Sequence, residues 1–437
     1  MPKTPIQIAK TAPPPPDLPI YGETNPQKVS FIGQTNYAST LEEKRFIFGI
    51  KRSDRRNHLC LLGQKNIGKS KLLELLIRQD IAFNKGLLLL DGRGELVKEI
   101  LDFIQKEKIE KVAYLDPADN QYPLSFNPFS GVKFKIPFIE DLIETMKIFF
   151  GSFWTPRLDH LLRFSFFAIL ERNDGHFSQV IDLLTNKDFR KQTISQLKNN
   201  LIKDFWQNQF PQKWLLKFET ELDIVINKLS QFLSFPALGK MFEASENKID
   251  FEDLIKNKKI ILIPLSKNKL GEENAAVLTS MFLMSLRLAA LNRQSFEENA
   301  REDFYVYLDS LENFSFSILK NLLQEAHLGS LALTISQASL SYLPPEVRTA
   351  FFNNIDNWII FRLSIEDAER VEPLLAPVFK SQDLLNLSAK EFYIKMLIDG
   401  RLSDPFSART LKVLKPLKPS FRTQIIELSR KKYSRVV

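Results

Sequence analysis

Residues 63–70 read Gly-Gln-Lys-Asn-Ile-Gly-Lys-Ser and follow directly on the apolar run His58-Leu59-Cys60-Leu61-Leu62. The spacing G-x-x-x-x-G-K-S suits one kind of chemistry. Glycines let the backbone wrap phosphate groups, amide N–H groups turn inward, and a helix starting at the loop adds positive potential at its N-terminus. Gly63, Gln64, Lys65, Asn66, Ile67, Gly68, Lys69, Ser70 and Lys71 are therefore the candidate nucleotide-binding residues. In that role Lys69 reaches the β- and γ-phosphates and Ser70 ligates Mg²⁺. ATP and Mg²⁺ are the expected ligand and cofactor.

Such a loop needs a carboxylate at the end of a neighbouring strand to hold the Mg²⁺ shell. Tyr305-Val306-Tyr307-Leu308-Asp309 supplies it, with Asp309 at the C-terminal edge, where open α/β sheets place their ligands. Hydrolysis also needs a group that orients or deprotonates water. An acid directly after the Asp is the usual solution, but position 310 is Ser. In an extended chain, positions 310 and 312 face the same side, so Glu312 is a candidate. Its alternative is a solvated acid opening the next helix. Gln337, after the apolar run Leu331–Ser336, is the second candidate, as a water-orienting or γ-phosphate-sensing amide. Asp91-Gly92-Arg93-Gly94-Glu95 reads as a tight turn opening a helix, suited to flank a nucleotide or an adjacent subunit.

The elements that must position these groups are visible as continuous apolar runs: His58–Leu62, Gly86–Asp91, Lys111–Asp116, Lys258–Pro264, Phe304–Asp309, Ser330–Ser336, Asn357–Leu363 and Phe392–Ile398. Unbroken runs mark strands covered on both faces, and the helical stretches between them predict an α/β fold with an open, mostly parallel sheet. Between Ile136 and Asn247 the alternation stops. Phe138–Phe150, Arg157–Glu171 and Glu219–Leu233 have helical period with no strand between, which predicts an inserted all-α domain over 137–247 within a nucleotide-binding domain of 29–136 and 248–408. The insertion is rich in aromatics, among them Phe149, Phe150, Phe153, Trp154, Phe166, Trp206 and Trp214. These either fill a helical core or, interleaved with lysines, stack on single-stranded nucleic acid. Residues 1–28, with Pro13–Pro16, read as a disordered or polyproline lead-in.

The net charge of +8 in 437 residues is local. Residues 409–437 carry nine Lys/Arg against one acid, Glu427, so the rest of the chain is neutral overall. The expectation is a basic C-terminal tail, either solvated or set against nucleic acid, anionic lipid or an acidic partner. A single cysteine excludes a disulfide scaffold and fits a reducing compartment. No apolar leader follows Met1, and Ala275–Leu291, which contains Arg287, reads as a core helix rather than a membrane span. A cytoplasmic protein is expected.

With these positions placed, the chain from about residue 30 to 433 resembles the conjugative type IV secretion coupling proteins of the TraG/TraD kind. The resemblance rests on Phe31-Ile32-Gly33-Gln34-Thr35-Asn36-Tyr37 with Asp54-Arg55-Arg56-Asn57-His58, on Leu90–Glu95, and on Tyr114–Asp119 followed by Phe126-Asn127-Pro128. It continues through Leu308-Asp309-Ser310-Leu311-Glu312-Asn313-Phe314, Phe361-Arg362-Leu363, Asp367-Ala368-Glu369, Asp399-Gly400-Arg401 and Pro405-Phe406-Ser407-Ala408. It implies a RecA-like P-loop ATPase domain with an inserted all-α domain. It also implies a hexameric ring, homomeric or mixed, with ATP between subunits and DNA, bound without sequence preference, in a central channel. The implied partners are a relaxase or secretion-channel proteins. Many relatives carry an N-terminal membrane anchor that this sequence lacks, so attachment at the inner face of the membrane would come through a partner.

The chain departs from that pattern at three sensitive points. Lys65 and Asn66 replace Thr and Gly in the loop, Ser310 replaces the acid after the motif Asp, and His327 replaces the Arg of an E-A-R triplet at Glu325-Ala326-His327. That Arg is a candidate trans-acting finger, for which Arg157, Arg362 or Arg401 are the substitutes. Two readings follow: a DNA-translocating motor with weakened hydrolysis, and a non-hydrolysing nucleotide-binding adaptor of the same kind of assembly. A small-molecule kinase explains the loop only.

Overall fold

The computed structural model describes residues 9–37, 45–295, 301–310, 314–415 and 419–435. Its strands are β1 (Val29–Thr35), β2 (Ile47–Lys51), β3 (Leu59–Leu62), β4 (Gly86–Asp91), β5 (Val112–Tyr114), β6 (Ile260–Pro264), β7 (Phe304–Asp309), β8 (Leu331–Gln337), β9 (Asn357–Ile360), β10 (Glu391–Lys395), β11 (Leu397–Ile398), β12 (Arg401–Leu402) and β13 (Phe406–Thr410). Eleven of them form one sheet in the order β2-β1-β13-β10-β9-β3-β8-β7-β4-β6-β5. From β9 to β5 neighbouring strands are parallel. From β9 outward through β10, β13, β1 and β2 they are antiparallel. One strand, β8, separates β3, which feeds the loop, from β7, which ends in Asp309. This is a RecA-like P-loop α/β fold.

The parallel strands are apolar at every position because both faces are covered. Leu87 and Leu89 of β4 belong to one buried cluster, with Leu72, Leu73, Leu76 and Ile77 of helix α1 (Lys69–Ala82) and Ile100 of α2 (Glu95–Phe103). Leu88 and Leu90 belong to the other, which runs on into the helices beneath.

From Lys135 to Phe242 the described regular elements are all helical, as α3 (Lys135–Phe150), α4 (Pro156–Leu170), α5 (Gln179–Thr185), α6 (Lys187–Gln196), α7 (Asn200–Asp204), α8 (Glu219–Leu233) and α9 (Pro236–Phe242), with a wide turn at Phe205–Trp214 that accommodates Pro211. Phe149, Phe150, Phe166, Trp206 and Trp214 are buried there, and Phe153 is 52% exposed. The aromatics thus build a core, one continuous with the sheet face. After α10 (Phe251–Lys256), α11 (Lys267–Leu270) and α12 (Glu272–Arg293) comes α13 (Phe316–Glu325). The apolar α12 is mostly buried. Its Arg287 ties the layers by pairing with Asp141 of α3 (2.7 Å) and Glu325 of α13 (2.6 Å). The remaining helices are α14 (Pro345–Asn354), α15 (Ile365–Leu375), α16 (Ser381–Leu385) and α17 (Arg422–Tyr433).

The run Phe392–Ile398 is divided at Met396 into β10 and β11, and two expectations about the terminal segments also differ from the structure. The lead-in over 1–28 is not disordered where it is described. Ala12 and Leu18 are buried, Ala12 N donates to Ser407 Oγ (3.0 Å), and Tyr393 OH donates to Lys10 O (2.9 Å). The described residues of 409–437 are not a free basic tail: α17 lies against β5 and α2. Ile425, Ser429 and Tyr433, spaced by four, bury one helical stripe. Several of its cations are used internally, Arg422 on Asp102 and Arg430 on Asp119 (2.7 Å), while Arg409 of β13 donates to Gln34 Oε1 (2.8 Å).

Candidate nucleotide site

The loop between β3 and α1 has the backbone that its residue types allow. Asn66 sits at φ 62 and Gly68 at φ 122. The first value is the left-handed region that Asn tolerates, and the second is open in practice only to Gly. Gly63 N donates to Gln337 O (3.1 Å), Gln64 N to Arg362 O (3.0 Å) and Lys390 N to Ile67 O (3.2 Å), so three strand ends hold the loop open. Ile67 is its hydrophobic anchor, buried in the core above α1.

Lys69 is nearly buried, and its ammonium donates to the carbonyls of Gly63 and Gln64, the latter at 2.7 Å. Burial pushes its pKa down to about 8 against the pull of Asp309. Ser70 Oγ donates to Asp309 Oδ2 (3.0 Å) across one intervening strand. Asp309 itself is 1% exposed. Next to it in register is Asp91 of β4, whose carboxylate burial pushes up in pKa even though it accepts backbone N–H bonds from Val97 and Arg93. Gly92 is required: a Cβ there would lie 2.3 Å from Ser310 O. Ser310 sits at φ 56, and its hydroxyl donates to Asp309 Oδ1 (3.2 Å).

These groups line one cleft of about 1100 Å³. Residues 65–71, Asp309, Ser310 and Gln337 are on its wall; Gly63 and Gln64 do not line it and touch the site through the carbonyls that hold Lys69. Lys71, also on the wall, pairs with Glu74 (2.9 Å) and with Glu99 (2.7 Å), which lines the same cleft. Gln337 is the last residue of β8, beside Leu62, and its amide donates to Ser339 O (3.0 Å). Glu312 lies outside the described residues. Of the finger substitutes, Arg362 reaches Gln64 Oε1 (3.3 Å) beside the loop, whereas Arg157 pairs with Glu221 in the helical layer. His327 is exposed in the short turn after α13.

The structure adds groups that sequence reasoning did not assign here. Lys390, Tyr342 and Asn268 come to the cleft from distant loops, and no local signal marks them. Arg93 was legible as part of a tight turn, but not its contact with Ser70 Oγ (3.1 Å).

A hydroxyl and a buried carboxylate 3.0 Å apart, beside a lysine held by loop carbonyls, are the oxygen and cation set that an Mg²⁺–triphosphate requires. Fold and site together define a RecA-like P-loop protein. No family model and no curated protein matches the sequence. Solved structures do share the fold. The bacterial conjugative coupling protein TrwB, unbound and lacking its first 70 residues, superposes with a TM-score of 0.62 at 14% identity, over 85% of this chain and 90% of that one. TrwB with ADP and Mg²⁺ gives 0.59 at 13% identity, over 84% and 89%. VirB4 of Thermoanaerobacter pseudethanolicus gives 0.58 at 12% identity, over 88% and 96%. The structural likeness thus shows in these proteins the fold that the sequence resemblance implies.

Proposed function

We propose that this chain is an ATP-binding motor or coupling protein of a conjugation or type IV secretion system, moving DNA without reading its sequence. The observation that carries the reading is the Ser70–Asp309 contact of 3.0 Å at the mouth of the P-loop cleft. TrwB, which shares the fold, has been solved with ADP and Mg²⁺ and with non-hydrolysable GTP and ATP analogues. In this chain Lys69 would exchange its two carbonyl partners for phosphate oxygens, while the amides of residues 65–70 supply further donors. Ser70 and Asp309 would hold Mg²⁺, which when bound neutralises phosphate charge. Gln337 stands at the strand end from which an amide can orient water, and Glu312 remains the candidate base. A homo- or hetero-hexameric ring, relaxase or secretion-channel partners, and a cytoplasmic site of action at the membrane's inner face belong to the same proposal.

A second reading, the non-hydrolysing adaptor, is favoured by Ser310. It offers a hydroxyl bonded to Asp309 where a general base is expected. DNA-stimulated phosphate release separates the two. Turnover that vanishes in Lys69→Ala supports the motor. ATP binding with no release, with or without DNA, supports the adaptor. Ser310→Glu then asks whether the missing carboxylate limits the rate: a large gain says that it does.

A further inference from the structure

The Asp91–Glu95 turn places a second cation on the oxygens that the proposed site would give to a metal. Arg93 Nη2 donates to Ser70 Oγ (3.1 Å) and lies 3.9 Å from Asp309 Oδ2. The turn is fixed on both sides. Asp91 Oδ1 accepts from Arg93 N and Oδ2 from Val97 N, both at 3.0 Å. Gly92 N donates to Asp309 O (3.0 Å), and the space for a Cβ at 92 is already taken by Ser310 O. Gly94, at φ 76, ends the turn. The backbone is therefore rigidly placed, whereas the Arg93 side chain is 44% exposed and faces the cleft.

A guanidinium and a divalent cation cannot both sit on one hydroxyl–carboxylate pair, because like charges at contact distance repel. Arriving Mg²⁺–triphosphate must displace Arg93 from Ser70. The displaced fork still offers several N–H donors on a flexible stem anchored beside Asp309, and planar guanidinium is well suited to a terminal phosphate.

Resting on the nucleotide reading above, we propose that Arg93 is a phosphate-positioning residue supplied in cis: it holds the Ser70–Asp309 pair when no nucleotide is bound and donates to the terminal phosphate of a nucleoside triphosphate when one is. The site then prefers triphosphate to diphosphate, because a diphosphate brings no terminal phosphate to receive the displaced Arg93. The same residue raises the Mg²⁺ concentration needed for binding.

Isothermal titration of ATP and ADP into the full chain, over a series of Mg²⁺ concentrations and in EDTA, tests this with Arg93→Ala, Arg93→Lys and Lys69→Ala. Arg93→Ala is expected to lose about tenfold in ATP affinity, the scale of one charge-assisted contact. Its ADP affinity should stay within about twofold, and half-maximal Mg²⁺ stimulation should come at a lower concentration. Arg93→Lys should recover part of the ATP preference, which a merely structural role would not produce. A wild-type ATP-to-ADP ratio and Mg²⁺ requirement in Arg93→Ala, with binding abolished in Lys69→Ala, overturns the role of Arg93 alone. A wild-type chain that binds neither nucleotide overturns the nucleotide reading as well.

Discussion

Helix α1 and one face of strand β7 meet twice, and the two meetings are opposites. At the start of α1, Lys69 and Ser70 face Asp309 across an open cleft. Near its end, Asp80 faces Tyr305 and Tyr307, which alternation places on the same side of β7 as Asp309. There the charges are sealed. Asp80 is fully buried and accepts from Arg52, from Arg55 (3.0 and 3.1 Å) and from Tyr307, while Arg55 also donates to Tyr307 OH (2.7 Å) and Ser30 Oγ (2.8 Å). The Arg55 guanidinium stacks over the Tyr305 ring at 4.1 Å. Burial opposes its charge, but Asp80 and the tyrosines outweigh that and hold its pKa above the ordinary arginine range. In the cleft, by contrast, Lys69 hydrogen-bonds loop carbonyls and Arg93 a hydroxyl, with the Asp309 carboxylate 3.9 Å from Arg93 rather than hydrogen-bonded to it. Cations with neutral partners can exchange them for phosphate, whereas cations closed on a buried carboxylate can only anchor.

The comparison breaks most visibly at Asp80. Asp80→Ala strands two buried guanidiniums and should destabilise the chain by about 3–5 kcal/mol in denaturant unfolding. Lys69→Ala should do the reverse, weakening ATP binding by about a hundredfold or more while changing the unfolding free energy by less than about 1 kcal/mol. Tyr307→Phe removes one hydroxyl shared by Asp80 and Arg55 and should cost about 1–2 kcal/mol of stability, with ATP affinity unchanged. The smallest effect is that of pH. Lys69 loses its proton above about 8 in the free site, and phosphate binding needs it charged. Affinity should therefore be flat from pH 6.5 to 7.5 and fall by up to about tenfold per unit once pH is well above 8. The sealed cluster predicts no matching loss of stability over that window.

How much of this was readable in the chain follows from the same physics. The P-loop and Asp309 were legible because their geometry is local: a glycine-lysine-serine run after an apolar strand, and a carboxylate ending another. The parallel strands were legible because burial on both faces leaves unbroken runs such as Gly86–Asp91. The antiparallel half was not. The stretch 392–398 reads as one strand, but the structure divides it at Met396 into β10 and β11, and β13 pairs with β1 across the whole sequence. Helix α17 was hidden by its basic composition, since only Ile425, Ser429 and Tyr433 on one stripe reveal that it docks. The sealed cluster was invisible as well. Arg52, Arg55 and Asp80 look like ordinary surface charges until tertiary contacts bring them onto β7.

Equilibrium dialysis of ATP against the wild-type chain and Asp309→Ala, with Mg²⁺ and with EDTA, addresses the Ser70–Asp309 site most directly. The account predicts that Mg²⁺ strengthens ATP retention by the wild type and that Asp309→Ala abolishes this Mg²⁺-dependent gain while keeping a residual, EDTA-insensitive affinity from Lys69 and the loop. Retention that is absent in the wild type, or equally Mg²⁺-dependent in both chains, contradicts it.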